Sequence, residues 1–291
     1  MFKHSLMAGA LVAAITAALA APGVVFAADA PAAAEESPHT FTANVGLFNQ
    51  YIFRGMNQTN TRPAVQGGFD YGYNFGPLTA YIGSWNSNIS WLTDSGQYTS
   101  SSIESDLYGG IKGNFGKSDF TWDLGVLQYF YPGNINAATA GARGNTTEVY
   151  GALGWKWLTF KTSYVVSGKA FAILDAQGTY YLDLSAAYPV AETGLTLLGH
   201  YGHQKFTGTD GRTAAVGSND AIYSYNDWKV GASYDLGKLT KVLNATTFGV
   251  NYTNTSGANS LGYGGRGDVP AGAYPKSISD GTTTVYLQKT F

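Results

Sequence analysis

Thr147-Glu148-Val149-Tyr150-Gly151-Ala152-Leu153-Gly154-Trp155-Lys156 alternates with a period of two residues. Thr147, Val149, Gly151, Leu153 and Trp155 fall on one face, and Glu148, Tyr150, Ala152, Gly154 and Lys156 on the other. A β-strand sends successive side chains to opposite faces, so the stretch reads as a strand with one apolar and one polar side. Two other stretches repeat the pattern. Ile103, Leu107 and Ile111 oppose Glu104, Asp106 and Lys112, while Trp228, Val230, Ala232 and Tyr234 oppose Asp227, Lys229, Ser233 and Asp235. In each, the charge keeps to one parity.

Outward from these, twelve such segments begin near Phe41, Ala64, Leu78, Ser102, Phe120, Thr146, Leu158, Gly178, Leu195, Tyr225, Ala245 and Thr282. Their connections alternate short and long. Asn74-Phe75-Gly76-Pro77, Asn114-Phe115-Gly116-Lys117 and Asp235-Leu236-Gly237-Lys238 read as variants of one tight turn in which Gly supplies positive φ, and Glu192-Thr193-Gly194 fills a fourth short junction. Asn86 to Ser101, Pro132 to Asn145, Thr207 to Ser224 and Asn254 to Gly281 are long and rich in Gly, Ser, Thr, Asn and Ala. Short turns on one rim and long loops on the other predict an all-β, antiparallel transmembrane β-barrel of about 12 strands. The short turns are expected in the periplasm and the long loops outside the cell. Phe75, Phe115, Trp122, Trp155 and Trp157 beside short turns, and Tyr51, Phe53, Trp85, Phe130, Tyr131 and Trp228 toward the long loops, are read as two aromatic belts.

Composition agrees. The 291 residues include 38 Gly and 21 Tyr, with only 12% charged against the ~25% of a soluble domain. Mean hydropathy is nonetheless only -0.09. A secreted β-sandwich would also alternate, but needs charge on its outer surface, which this chain can hardly supply. Zero Cys excludes disulfide scaffolds, thiolate metal sites and Cys nucleophiles, and a formal charge of -2 offers no field for nucleic acid. No cofactor is implied.

Residues 1–27 read as a cleaved signal peptide: Lys3 and His4, an apolar stretch from Leu6 to Ala21, and Val25-Phe26-Ala27 before the cut. The apolar stretch falls short of the ~20 residues a helical span needs. Residues 28–39 read as a flexible leader and 40–291 as the barrel. Cleavage leaves 264 residues, or 22 per strand and connection for twelve strands, whereas sixteen strands at that density need 352. The expected location is the bacterial outer membrane, with its lipid as one partner. The last strand, Thr282 to Phe291, ends in an aromatic preceded by apolar residues at every second position. It resembles the C-terminal signal that outer-membrane proteins present to their assembly machinery, although Lys289 stands where an aromatic is usual.

Asn49-Gln50-Tyr51-Ile52-Phe53-Arg54-Gly55-Met56-Asn57-Gln58-Thr59, followed by Pro63-Ala64-Val65-Gln66-Gly67, is more specific than a generic barrel. With Gly83-Ser84-Trp85-Asn86-Ser87-Asn88 it resembles the TorF family of porins, the Gcw_chp domain family of Gram-negative bacteria. That resemblance implies an outer-membrane barrel of porin type. It supplies no settled substrate and no catalytic residues.

The polar parity carries the candidate pore residues: acids Asp70, Glu104, Asp106, Asp123, Glu148, Asp183, Asp227 and Asp235, and bases Arg54, Lys112, Lys156, Lys161 and Lys229. They are read as lining a hydrated pore that passes small hydrophilic solutes with a weak cation preference. Arg54 is placed at the extracellular end of the first strand. A lumen plugged by ion pairs, structural or adhesive in role, is the alternative within the same fold. A barrel enzyme is the other rival. His200 and His203 have opposite parity and cannot share a metal ion, and the neighbours of His200 in sequence offer no hydroxyl partner for a hydrolase triad. Gly262-Tyr263-Gly264-Gly265-Arg266-Gly267 spells GxGxxG but lacks the strand and helix that hold a dinucleotide. The sequence sets no oligomeric state.

Overall fold

The computed structural model describes residues 37–139, 142–211, 215, 217–265 and 274–291. The expected signal peptide and most of the expected leader lie outside the described residues. Twelve antiparallel strands form a closed barrel: β1 (His39–Phe48), β2 (Ala64–Asn74), β3 (Leu78–Asn88), β4 (Ile103–Asn114), β5 (Phe120–Phe130), β6 (Thr146–Trp155), β7 (Leu158–Val165), β8 (Tyr180–Pro189), β9 (Leu195–Lys205), β10 (Tyr225–Asp235), β11 (Thr246–Ser256) and β12 (Thr282–Thr290). Each pairs with the next in sequence, and β1 meets β12 from Asn44↔Thr290 to Phe48↔Tyr286 to close the ring. Phe291 extends the seam, its N–H donating to the Ala43 carbonyl at 2.8 Å. His39, placed in the leader by sequence, is already in β1 opposite Tyr73.

Alternation fixes which way each side chain points. Leu107, Leu124, Leu184 and Val230 stand more than half exposed on the outside, whereas Glu104, Glu148 and Asp227 are each 1% exposed inside. Apolar outside and charged inside inverts a soluble protein, and contradicts a sandwich with an apolar core.

Local chemistry sets the short rim. Asn74 Oδ1 accepts the Gly76 N–H at 2.7 Å, with Gly76 at φ +93°, and Gly116 and Gly194 also take positive φ. The expected turn at Asp235 differs. Gly237 is not in the left-handed region; Asp235 caps its N–H at 2.8 Å, and the chain runs on through 3₁₀ turns Leu236–Lys238 and Lys241–Leu243.

Several long loops fold into the barrel mouth. They carry small hairpins, Ile52–Phe53 with Met56–Asn57 and Lys169–Ala170 with Ile173–Leu174, and short helices Trp91–Asp94, Asn219–Tyr223 and Ser260–Tyr263. Here the aromatic reading is corrected. Phe75, Phe115, Trp155 and Trp157 do face outward at the short-turn rim, but Tyr51, Trp85 and Tyr131 are buried and Phe53 packs against the same inner cluster. Trp85 sits on the lumen parity, and the other three lie past strand ends in inward-folded loops. Proximity to a strand end does not separate wall from interior; parity and loop direction do.

Candidate functional site

The segment that follows β1 enters the lumen. Its two-residue turn, Arg54 (φ +45°) and Gly55 (φ +79°), joins the paired dipeptides Ile52–Phe53 and Met56–Asn57. Positive φ at both central residues makes the tight hairpin whose twist matches its strands. Glycine is required at the second position twice over, since a Cβ there would lie 2.5 Å from Asp227 Cβ on β10. The rest of the motif holds the hairpin in place. Tyr51 OH donates to Glu104 at 2.7 Å, Thr59 Oγ1 accepts the Tyr51 N–H, Asn57 N–H donates to the Ile278 carbonyl, and Tyr225 OH donates to the Arg54 carbonyl at 2.8 Å. Burial pushes the Tyr51 phenol well above its ordinary range and the Glu104 carboxylate adds to the shift, so it remains a donor.

Arg54 is therefore not at the extracellular end of the first strand, as its position in sequence suggests, but at the tip of a hairpin inside the barrel. Its guanidinium grips Glu148 of β6 with both forks, at 2.9 and 2.7 Å, and donates to Gln204 of β9 at 3.1 Å. It lies 4.9 Å from the Phe53 ring centroid and 4.4 Å from that of Tyr181. Side-chain exposure is 8% for Arg54 and 1% for Glu148, so the pair is desolvated and geometrically complete.

The other sequence-predicted residues divide. Asp70, Glu104, Asp106, Lys112, Asp123, Glu148, Lys161, Asp183, Asp227 and Lys229 lie on the lumen parity of their strands. Lys156 does not belong with them, and Asp235, which keeps the lumen parity, stands at the last position of β10 on the rim. Lys156 is more than half exposed in the β6–β7 turn near Asp119, and Asp235 caps the turn after β10. Sequence reasoning missed the phenols that dress the acids: Tyr108 donates to Asp70, Tyr81 to Asp123 and Tyr181 to Asp227, at 2.6–2.7 Å, and Tyr129 to Glu148 at 3.2 Å. A signal for them existed, because Tyr81, Tyr108, Tyr129 and Tyr181 share the parity of the acids.

His200 was also missed. It points inward and binds four groups: Nδ1 lies 3.0 Å from Ser185 Oγ and 3.3 Å from Asp183, and Nε2 lies 2.9 Å from both Asp227 and Tyr181 OH. The hydroxyl partner absent beside it in sequence comes from β8. That hydroxyl donates to Asp183 at 2.6 Å, leaving its oxygen to meet the imidazole. Among the described residues no group of three or more His, Asp or Glu could hold a metal ion.

Two cavities flank the hairpin. One of about 100 Å³ is lined by Arg54, Lys161, Asp183, His200, Asp227 and Lys229 among others. The second, about 250 Å³, lies among the long loops and is lined mainly by aromatic side chains. Phe53 alone of their lining residues belongs to both.

No curated protein matches the chain. Among solved structures, it is similar to mutants of the Rhodopseudomonas blastica porin, one of them 10% identical with a TM-score of 0.33. The match covers 78% of this chain, which spans 55% of that one. The COG4313 outer membrane channel from Pseudomonas putida F1 is 14% identical with a TM-score of 0.47, over 89% of this chain and 97% of that one. The family model for bacterial proteins of unknown function named Gcw_chp matches residues 32–291, and the chain belongs to that family.

Proposed function

We propose that this protein is an outer-membrane channel of porin type, as the TorF resemblance implies, whose lumen is narrowed by the Arg54 hairpin. The observation that carries the reading is that hairpin, clamped by Glu148 across a polar lumen between two cavities. The apolar exterior is suited to lipid, and the closed ring leaves no unpaired strand edge there. Small hydrophilic solutes and ions are the expected traffic.

Seven acids (Asp70, Glu104, Asp106, Asp123, Glu148, Asp183, Asp227) face four bases (Arg54, Lys112, Lys161, Lys229) within the lumen, a formal net of -3 that becomes -2 with a proton on His200 between Asp183 and Asp227. The channel should therefore favour cations. The preference should be mild, because phenols and Arg54 occupy many of the carboxylates and salt screens over ~8 Å at physiological ionic strength. Ser185 and His200 act in this reading as a clamp between β8, β9 and β10, not as a nucleophile and base. Purified protein in a planar bilayer under a potassium chloride gradient tests the proposal. Discrete steps with a reversal potential shifted toward cations support it; absence of steps, together with ester hydrolysis lost in Ser185→Ala, would replace it with an enzyme.

A further inference from the structure

Five junctions lie on the short-turn rim, and one of them is built differently. Between Asp235 of β10 and Thr246 of β11 the chain takes ten residues, where the others take two to five. A hairpin does not need that length. Nor are the added residues turn formers: Leu239 is 67% exposed, Val242 86% and Leu243 36%. The two 3₁₀ turns hold them out, and Thr240 Oγ1 accepts the Val242 N–H at the start of the second. Three lysines stand beside them. Lys238 and Lys241 belong to the same loop, and Lys289 interrupts the outward, apolar parity of Val285, Leu287 and Phe291 on β12. Lys289 Nζ donates to the Asn244 carbonyl, and Thr246 Oγ1 donates to the same oxygen at 3.3 Å. The Asn244 N–H in turn donates to the Lys241 carbonyl at 3.2 Å, so the Lys289 ammonium sits one short turn from Lys241. Thr246 shares the outward parity of Phe248, which stands opposite Leu287, yet is only 7% exposed. The end of the loop and Lys289 therefore close over the outer face of the wall, continuous with the apolar exterior.

Charge on this loop is left uncompensated. No carboxylate of the described residues pairs with Lys241 or Lys289, and Lys238 meets Glu192 only at 4.0 Å. Of the three ammonium donors of Lys289, two remain open. Exposed aliphatic side chains beside open ammonium groups, joined to a lipid-facing wall, suit the boundary where acyl chains meet phosphates. We infer that the β10–β11 loop is a lipid foot that selects anionic phospholipid. Leu239 and Val242 insert among the acyl chains at the short-turn rim, and Lys241 and Lys289 meet the lipid phosphates. Anionic lipid is favoured over zwitterionic because its phosphate carries no ammonium of its own to offset the attraction. The foot rests on the reading of the barrel exterior as lipid-facing and does not depend on conduction.

The chain has no cysteine, so a single one can be introduced and labelled. Val242→Cys carries an NBD fluorophore in the full chain, folded into vesicles of phosphatidylcholine and phosphatidylglycerol. Leu124→Cys, in the middle of β5 where the native side chain is 54% exposed, is the control. One lipid or the other bears a nitroxide on its acyl chain. Both labels should be quenched, and at Val242 nitroxide phosphatidylglycerol should quench more strongly than nitroxide phosphatidylcholine. That preference should fall about fivefold in each of Lys241→Gln and Lys289→Gln, the contribution of one lysine at an anionic surface. The Leu124 label should show no preference, and heat-modifiable migration confirms that each variant has folded. A Val242 label out of reach of both lipids, whether in water or beneath a second copy of the chain, overturns the foot. Equal quenching by the two lipids, or a preference that both lysine variants retain, overturns its selectivity for anionic phospholipid. Loss of quenching at Leu124 as well would overturn the lipid-facing reading of the exterior, whereas loss at Val242 alone leaves that reading and the channel intact.

Discussion

Glycine and tyrosine, at 38 and 21 residues, fit together on the lumen wall. A Cβ on Gly249 would lie 2.1 Å from the Tyr286 ring, one on Gly125 2.4 Å from Tyr150 OH, and one on Gly202 2.0 Å from Tyr181 OH. Each phenol end occupies the space a glycine on the next strand leaves open, which lets large side chains fill a twelve-stranded ring without forcing its strands apart. Gly249→Ala should therefore overpack the wall and cost about 1–3 kcal/mol. Gly168→Ala, where nothing lies within 4 Å, is the matched control. Urea unfolding followed by tryptophan fluorescence checks the pair, and equal midpoints would deny the packing role. The same arrangement hid the phenols from sequence reasoning. A tyrosine on the polar parity reads as a pore residue, yet its hydroxyl is taken by an acid on another strand.

Strands were legible and the path of the first loop was not, for a physical reason in each case. A strand in a membrane barrel must alternate along its own length, so Ile103 to Lys112 or Thr147 to Lys156 declares itself locally. Register then aligns Lys112 with Asp123, and Ala152 with both Asp123 and Lys161, while Asp183 stands opposite Lys161, so charges of both signs share one row of the wall. The segment 49–63 has no period, and its inward course depends on Glu148, 94 residues beyond Arg54. Nothing local in the sequence states that pairing, and Tyr51 and Phe53 were misplaced with it. The last strand carries a prediction of its own. Phe291 ties β12 to β1 through its backbone while its ring is 70% exposed. Phe291→Ala keeps the seam bond and removes only the ring. Assembly in cells should fall, measured as heat-modifiable protein in the outer-membrane fraction, while refolding from urea into detergent stays normal. A defect in both would make the ring a stability element and not an assembly signal.

The molecule has two unlike ends. Short turns and both termini of the barrel lie on one rim, and the loops that fill the mouth lie on the other. If the short rim faces the periplasm, protease added to intact cells should cut within the long loops and spare the Asn114 turn; cleavage at Asn114 without permeabilisation reverses the orientation. Between the ends stands the Arg54–Glu148 clamp, on which the account chiefly depends. Breaking a buried pair by removing one partner typically costs about 3–5 kcal/mol, enough to release a hairpin held at its tip. Lysine cannot reproduce the two-pronged contact and should hold the hairpin less well than arginine. The most direct test is single-channel conductance in planar bilayers for the parent protein, Arg54→Ala and Arg54→Lys. The expected result is a small conductance for the parent, a clearly larger one for Arg54→Ala and an intermediate one for Arg54→Lys. Equal conductance in all three, from proteins that fold equally well, would contradict a lumen narrowed by this hairpin.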